Sequence, residues 1–167
     1  PQARGTVRFT IAGHADRSVR ADLAKRPDYL DWRGPVSFDA AMDLIRSTDV
    51  LALIDNIAAP GTDQVGQAGG YEFFPSKLLD YMLGQRPILG VSAKNSIAHE
   101  VIDTLGLGQC FDHDEVAALS AAIERKWHDW QAGQAAQFEI TAQDSAYDAR
   151  AVARRLCVEM ESLLNDT

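Results

Sequence analysis

Two acidic residues and a lysine lie close together around the start of a predicted helix. In the stretch "YEFFPSKLLDYMLG" (71–84), Glu72 precedes the helix, Lys77 is in its first turn and Asp80 follows one turn later. A helix N-terminus presents unpaired N–H groups and a partial positive charge, so it can bind anions such as phosphate. Because a lysine there opposes the helix dipole, a bound phosphate near Ser76 and Lys77 would explain it.

The carboxylate of Asp80 suggests a second contact in the same ligand. A carboxylate can accept two hydroxyl hydrogens at once, as a ribose diol requires. Each charged residue also has a simpler interpretation. Lys77 would be a solvated lysine, Asp80 a surface acid paired with Lys77, and Glu72 an acid that stabilises the helix dipole.

The size and charge of the chain restrict the class of protein. Its 167 residues fit a single domain, and 46% hydrophobic with 24% charged residues is typical of a globular protein. The net charge of -8 argues against nucleic acid or an anionic membrane as the main partner. Basic residues gather near the start of the chain. They are Arg17, Arg20, Lys25, Arg26 and Arg33. A solvated helix face is the favoured interpretation of this group, and a surface for anionic lipid or an acidic acceptor is the alternative.

The two cysteines and the absence of long apolar runs bear on location. Cys110 and Cys157 are too few for a disulfide framework or a zinc site. Both are predicted to be small buried hydrophobes in a reducing compartment, with a single disulfide of the secreted type as the alternative. No run approaches the roughly 20 residues of a membrane span, and no signal peptide is recognised. The expected location is cytoplasmic, with a peripheral position at the inner membrane as the alternative. The abrupt start at "PQARG" is typical of an excised piece.

Strand patterns alternate with helix patterns along the chain. Strands are predicted at 6–13, 29–34, 49–55, 86–92 and 107–112, and helices at 15–26, 38–48, 74–85, 97–106, 114–131 and 144–164. This alternation predicts an α/β fold, in which a parallel sheet has helices on both faces in a Rossmann-like three-layer arrangement. The apolar run at 49–55 predicts a strand buried on both faces. The Gly-rich segment 56–72 is predicted to be a long loop.

Several side chains are predicted to cap or pack these elements. Ser37 and Ser96 are predicted N-caps. The predicted packing stripes are Phe38, Ala41, Met42 and Ile45 on one helix and Ile123, Trp127 and Trp130 on another. The acidic stretch 112–115 has the residue types of a metal site, but its contiguous residues favour a solvated helix start.

The fold class also predicts where a ligand binds. In open parallel sheets, ligands bind outside the carboxyl ends of the strands. The loops that follow Gly13, Gly34, Asp55 and Ser92 are therefore expected to line a site. His14 could contact substrate there or simply occupy a turn.

The spacing of the two acidic residues resembles a known motif. Seven residues separate Glu72 from Asp80, and "YMLGQRPILGVS" supplies a Met, a Gly and a Pro-led strand. This pattern resembles the donor-binding helix of family 4-type glycosyltransferases of the GT-B fold, whose "FPSKL.EYM..G.P" subset matches it almost letter by letter. Gly34, Asp49 and Val50 also fit the family pattern. The resemblance covers roughly residues 7–164.

The resemblance implies a function for the whole chain. GT-B enzymes have two Rossmann-like domains, and the C-terminal domain binds the nucleotide sugar in the cleft between them. Residues 1–167 would then be a single partial domain, the C-terminal half of the GT-B fold, without its first strand–helix unit and without the N-terminal acceptor domain. The implied reaction is metal-independent transfer of a hexosyl group from an NDP-sugar, such as a UDP- or GDP-sugar, to an acceptor hydroxyl with retention, in glycan biosynthesis.

The resemblance also implies roles for individual residues. Glu72 would be the catalytic acid that faces the sugar or the pyrophosphate, and Asp80 would bind the ribose hydroxyls. The diphosphate would lie against the amides of Phe74 and Ser76 and against Lys77. The remaining donor-binding residues would be Gly13 and His14 at the edge of the site, and Pro35 and Val36 against the base. No cofactor or nucleic acid is expected, and the acceptor glycan, lipid or small molecule would be bound mainly by the absent domain.

The chain departs from the family pattern at three points. The second acid is usually Glu in the family, whereas Asp80 is one methylene shorter. The family's Gly after the first acid is replaced around Phe74 and Pro75. The family's phosphate-binding Arg and Lys belong to the absent strand–helix unit, so the isolated chain is expected to be inactive.

Two rival functions remain open on the sequence alone. One is another GT-B enzyme, a sugar-nucleotide 2-epimerase, which an extra catalytic acid in the cleft would distinguish. The other is a non-catalytic α/β binding module such as a receiver. A receiver needs an acidic cluster directly after its first strand, and Asp16 lies beyond that strand.

Overall fold

A computed structural model describes residues 7–23, 25, 28–55, 74–134 and 149–165. The strands are β1 (Phe9–Ala12), β2 (Leu30–Gly34), β3 (Leu51–Ile54), β4 (Ile88–Val91) and β5 (Gly108–Phe111). The helices are α1 (Arg17–Leu23), α2 (Phe38–Ser47), α3 (Ser76–Gly84), α4 (Ile97–Thr104), α5 (Val116–Gln131) and α6 (Ala149–Asn165). Every strand pairing is parallel, so the predicted α/β class is confirmed and is consistent with a Rossmann-like three-layer domain.

The strands form two sheets instead of the single sheet that was predicted. β1 pairs with β2, and β3, β4 and β5 pair in that order. In the larger sheet Leu51 is opposite Ile88, and Ile88 is opposite Gly108. Within the described ranges no strand pairing joins the two sheets.

The core belongs to the larger sheet and to the helices α3 and α4 that pack on it. Its fully buried side chains include Leu78, Ile88, Ile102 and Leu107. The first three residues of β4 are buried, as its apolar sequence predicts. The prediction that β3 is buried on both faces is wrong, since Ile54 is 64% exposed. Leu51 and Leu53 are buried on one face of β3, whereas Ala52 and Ile54 alternate with them on the other face, which the described residues do not fully cover.

Both predicted N-caps are confirmed. The hydroxyl of Ser37 accepts a hydrogen bond from the Ala40 N–H at 3.3 Å, and that of Ser96 accepts one from the His99 N–H at 3.1 Å. Each cap satisfies an amide that has no partner within the helix. These local bonds determine where α2 and α4 begin.

Two of the predicted packing stripes are only partly correct. Met42 is buried and Ile45 packs against Gly84 of α3, but Phe38, the first residue of α2, is 69% exposed. On α5, Ala122 is the buried residue and packs with Leu89 and Phe111. The expected stripe on α5 is wrong as a core contact, since Ile123 and Trp130 are exposed and Trp127 is half-buried.

The two cysteines differ in their surroundings. Cys110 is half-buried in β5, and this burial raises the pKa of its thiol to about 11, so the thiol is protonated at neutral pH. Cys157 lies exposed on α6, which contradicts the prediction of a buried hydrophobe. The reason is that the apolar side chains of α6, such as Leu156 and Met160, are themselves exposed. None of the described helices has the length and apolar character that a membrane span requires.

Candidate functional site

Among the described residues, no side chain caps the start of α3. Pro75 occupies the N-cap position without a side-chain hydrogen bond, and the first turn contains no acidic residue. The Leu78 N–H donates to the Pro75 carbonyl at 2.9 Å. The amides of Ser76 and Lys77 are left without a hydrogen-bond partner among the described residues. The helix begins two residues later than predicted. Phe74 therefore precedes the helix and packs, half-buried, against the core.

Lys77 and Asp80 do not pair with each other. They lie three residues apart on α3, yet neither makes an ion pair or hydrogen bond within the described ranges. Lys77 is exposed and Asp80 is half-buried. The simpler interpretation of Asp80 as the ion-pair partner of Lys77 is therefore wrong.

Buried side chains fix the orientation of α3. Leu78 and Met82 face the core, and the Tyr81 hydroxyl donates to the Ala52 carbonyl of β3 at 3.2 Å. Burial raises the pKa of Tyr81, and the negative charge of Asp80 raises it further. The phenol therefore remains a hydrogen-bond donor at neutral pH and holds α3 against β3.

A second group of predicted residues meets at the ends of β1 and β2. The Gly13 N–H donates to the Gly34 carbonyl at 2.9 Å, which brings their chain neighbours His14 and Pro35 to the same sheet edge. Gly34 has a φ of 69°, a left-handed conformation that favours glycine and turns the chain out of β2. His14, Pro35 and Val36 are exposed there. This group shares the carboxyl edge of its sheet, where the fold class predicts ligand binding.

Asp55, Ser92 and Ser96 form a hydrogen-bond chain at the carboxyl ends of β3 and β4. The Ser92 hydroxyl donates to the Asp55 carboxylate at 3.0 Å, and the two serine oxygens are 2.7 Å apart. Because Ser92 gives its only proton to Asp55, Ser96 must donate to Ser92. Both serines are buried. These hydrogen bonds thus fix one carboxylate oxygen of Asp55 relative to the start of α4.

Sequence reasoning expected the loops after Asp55 and Ser92 to line a site, but it missed this contact. The signal was present, since each of the two polar residues directly follows an apolar strand. Parallel strands end at the same sheet edge, and β3 pairs with β4, which places the two residues side by side. Ser96 could be recognised only as a cap.

The acidic stretch 112–115 organises the turn between β5 and α5. The Asp112 N–H donates to the Glu115 carboxylate at 2.9 Å, and Lys94 makes an ion pair with Glu115 at 3.0 Å. The predicted helix start is confirmed, since α5 begins at Val116, and Asp114 is exposed there. Glu115, however, is bonded to the protein and is not simply solvated. In the part of the chain that the structure describes, no group of three or more His, Cys, Asp or Glu side chains could hold a metal ion.

The turn at 112–115 should loosen in acid. The amide of His113 lowers the pKa of Asp112, and the amide of Asp112, followed by Lys94, lowers that of Glu115. A carboxyl group whose pKa is lower in the folded state stabilises the fold at pH values above its unfolded-state pKa, which is about 4.3 for Glu. This stabilisation is lost as the pH falls through the lower folded-state pKa. The melting temperature should therefore decrease when the pH is lowered below about 4.

The variant Glu115→Gln isolates the contribution of this turn. Its melting temperature should decrease less between pH 6 and pH 3 than that of the parent, because one titrating acceptor is removed. The exposed acid Glu124 of α5 supplies the matched control, Glu124→Gln. Equal acid sensitivity in Glu115→Gln and in the parent would contradict the assignment.

The basic residues near the start have different surroundings. Arg33 makes an ion pair with Asp31 at 2.8 Å, and the Arg20 guanidinium donates to the Ala15 carbonyl at 2.9 Å. Arg17 and Lys25 are exposed, and Arg26 lies outside the described residues. Two of the five side chains are thus engaged with the protein itself.

The predicted site residues form two groups in the structure. One comprises Ser76, Lys77 and Asp80 on α3, with Phe74 just before it, and the other comprises Gly13, His14, Pro35 and Val36. Within the described ranges no ion pair or side-chain hydrogen bond joins the charged residues of α3 to the second group. Glu72, the predicted catalytic acid, lies outside the described residues.

Comparison with models of protein families gives no match, and comparison with curated proteins gives none. A functional interpretation therefore depends on the residues themselves. The strongest support comes from the motif around α3, where the sequence resemblance coincides with a helix start that no described side chain caps.

Proposed function

We propose that this chain is the nucleotide-sugar-binding domain of a GT-B glycosyltransferase. The full protein transfers a hexosyl group from an NDP-sugar to an acceptor hydroxyl, with retention and without a metal, and a second domain binds most of the acceptor. The observation that carries the proposal is the start of α3, which no side chain caps and where exposed Lys77 and Asp80, one turn apart, have no ion-pair partner among the described residues. The spacing of these residues resembles the donor-binding motif of that enzyme class.

The diphosphate of the donor binds at the start of α3. The N–H groups of Ser76 and Lys77 donate to phosphate oxygens, and the Lys77 ammonium neutralises part of the charge. When the sugar leaves, negative charge develops on this diphosphate, and donors that are already oriented stabilise it without reorganisation. Buried Pro75 and Leu78 hold the helix start in place.

Asp80 binds the ribose of the donor. It lies one turn beyond the diphosphate contacts, and its carboxylate accepts hydrogen bonds from both ribose hydroxyls. No protein cation competes for it within the described ranges. Glu72 is the catalytic acid of this proposal, and it faces the sugar or the pyrophosphate.

The base binds against the carboxyl edge of the smaller sheet. Pro35 and Val36 offer exposed apolar surface just after β2, and Gly13 and His14 lie beside them. An apolar surface with adjacent backbone groups suits the flat face and polar edge of a base. The donor itself supplies the reactive group, so no further cofactor takes part.

Nucleotide titration tests this proposal directly. Ligand-detected NMR of the chain with UDP, GDP, ADP and CDP should show preferential binding of one nucleotide, which identifies the base. Asp80→Asn should weaken that binding by at least about tenfold, because hydrogen bonds to a charged group contribute about 1.5–3 kcal/mol. Asp103→Asn, on the exposed surface of α4, is the matched control and should bind like the parent.

The same titration on the full-length protein separates two kinds of failure. Binding only in the full-length protein would mean that residues outside the chain complete the site. Absence of binding at millimolar nucleotide in both proteins would refute the proposal and favour a non-catalytic α/β module. Equal losses in Asp80→Asn and Asp103→Asn would remove Asp80 from the site.

A further inference from the structure

The two groups of predicted site residues are connected through a contact between two helices. β2 ends at Gly34, and Pro35 and Val36 lead directly into α2, which Ser37 caps. α2 in turn packs against α3, which begins at Ser76. The position of one group relative to the other therefore depends on how α2 and α3 are held together.

An arginine clamps the ends of these two helices. The guanidinium of Arg86, two residues after the end of α3, donates to the Arg46 carbonyl from both Nε and Nη2, at 3.0 Å and 2.7 Å. This carbonyl lies in the last turn of α2, where the helix itself supplies no partner for its carbonyls. The positive charge of Arg86 also lies at the negative end of the α2 dipole, which strengthens the contact.

The backbone at the end of α3 directs Arg86 toward α2. Gln85 has a φ of 53°, a left-handed conformation that ends the helix, and its N–H donates to the Met82 carbonyl at 3.3 Å. Arg86 follows this turn, and the carbonyl of the next residue, Pro87, accepts from the Leu51 N–H at 2.9 Å. The clamp therefore lies beside the paired starts of β3 and β4.

Close packing at Gly84 reinforces the clamp. Gly84 is buried, and a β-carbon there would collide with the Cγ2 methyl of Ile45 in the last turn of α2. The same β-carbon would lie 3.6 Å from the Ile45 carbonyl oxygen and from Cδ1 of Leu51. α2 thus approaches α3 about as closely as a glycine permits, and the carboxyl ends of the two helices are fixed to each other.

The same contact orients the starts of both helices. α2 leads into β3 and α3 leads into β4, and these strands are parallel neighbours. A helix that leads into a parallel strand runs back along the sheet, so its start lies toward the carboxyl edge. For the ten residues of α2 this distance is about 15 Å. A small tilt of α2 at the clamp is therefore magnified at Pro35 and Val36.

We propose that Arg86 is a positioning residue for nucleotide binding, which fixes the base-binding surface after β2 relative to the phosphate and ribose contacts on α3. This inference rests on the proposed function, which assigns the base to Pro35 and Val36. Without the clamp α2 can tilt, whereas α3 stays in place through Leu78 in the core and the Tyr81 bond to β3. Loss of Arg86 then impairs recognition of the base more than recognition of the phosphates and the ribose.

The preference among nucleotides tests this role. Titration of the full-length protein with UDP, GDP, ADP and CDP gives the ratio between the Kd values of the other nucleotides and that of the preferred one. Arg86→Ala should reduce this ratio by about fivefold or more, because coupling between two binding groups is typically of that size. Arg86→Lys keeps a donor and a positive charge, so it should restore part of the preference.

Arg125→Ala is the matched control for the loss of an arginine. Arg125 is exposed on α5 and donates to the Gln109 side chain at 3.4 Å, so its bond joins neither α2 nor α3. This variant should keep the preference of the parent.

Gly84→Ala tests the same contact without removing a charge. Its methyl group would push Ile45, and with it α2, away from α3, so the preference among nucleotides should again fall. Gly90→Ala is its control, because it adds a methyl group against Cys110 and Ile102 instead of α2. At a temperature where both variants remain folded by circular dichroism, Gly90→Ala should keep the preference.

Four results would overturn the inference. Equal weakening of all four nucleotides in Arg86→Ala would indicate a merely structural role, and an unchanged preference in both Arg86→Ala and Gly84→Ala would show that the clamp does not position the base. Equal binding of the four nucleotides by the parent would show that no base is recognised, while the proposed phosphate and ribose contacts would stand. Absence of nucleotide binding by the parent would refute the proposed function together with this inference.

Discussion

Replacing Gly108 with alanine should destabilise the larger sheet more than any other one-carbon substitution in β4 or β5. A β-carbon at Gly108 would lie 2.7 Å from the carbonyl carbon and the amide nitrogen of Ile88, and closer still to its oxygen. These are backbone atoms of the paired strand, so they cannot move aside without separating β4 from β5. The free energy of unfolding should fall by about 3 kcal/mol, measured by urea denaturation.

Gly90→Ala is the control for this prediction, because it adds the same methyl group to the neighbouring strand. Its β-carbon would lie 2.6 Å from the Cys110 sulfur and 3.0 Å from the Ile102 δ-carbon. Both are ends of side chains, which can shift, so the expected loss is only about 1 kcal/mol. Equal losses for the two variants would show that β4 and β5 can separate locally at little cost.

Local interactions were the features that the sequence predicted best. The caps at Ser37 and Ser96 depend on residues three positions apart, so the sequence contains all the information required. The apolar run of β4 was equally informative, because a central parallel strand is covered on both faces. The α/β class follows from repeating such local patterns along the chain.

Exposure was harder to predict, because periodicity identifies an apolar face but not what covers it. Phe38 and Trp130 lie on faces that the pattern marks as apolar, and both are exposed. Cys157 has apolar neighbours in sequence, yet those neighbours are exposed on α6 as well. The division into two sheets has the same origin, since strand pairing is a property of the whole assembly.

Some features of the candidate site were predicted from the sequence and others were not. The position of Ser76 and Lys77 in the first turn of α3 was predicted correctly, although the helix starts later than predicted. The missing ion pair between Lys77 and Asp80 could not be anticipated, because a spacing of three residues permits such a pair without requiring it. The bond between Ser92 and Asp55 depends on strand register, which the sequence specifies only indirectly.

Leu78→Ala should both destabilise the fold and loosen the candidate site. Leu78 is fully buried, in the first turn of α3, and belongs to the cluster that contains Ile88 and Ile102. Truncation leaves a cavity, so the free energy of unfolding should fall by about 3 kcal/mol in urea denaturation. Leu79→Ala removes the same atoms from the next residue, which is 41% exposed, and should cost less than about 1 kcal/mol.

The same two variants test whether packing beneath α3 supports ligand binding. Leu78 lies between Lys77 and Asp80 in the chain, so a cavity beneath it lets the helix start shift relative to the sheet. At a temperature where both variants remain folded, Leu78→Ala should weaken nucleotide binding several-fold while Leu79→Ala leaves it unchanged. Unchanged affinity in a destabilised Leu78→Ala would show that binding tolerates movement of α3, whereas weaker binding would show that the core beneath α3 positions the proposed binding residues Lys77 and Asp80.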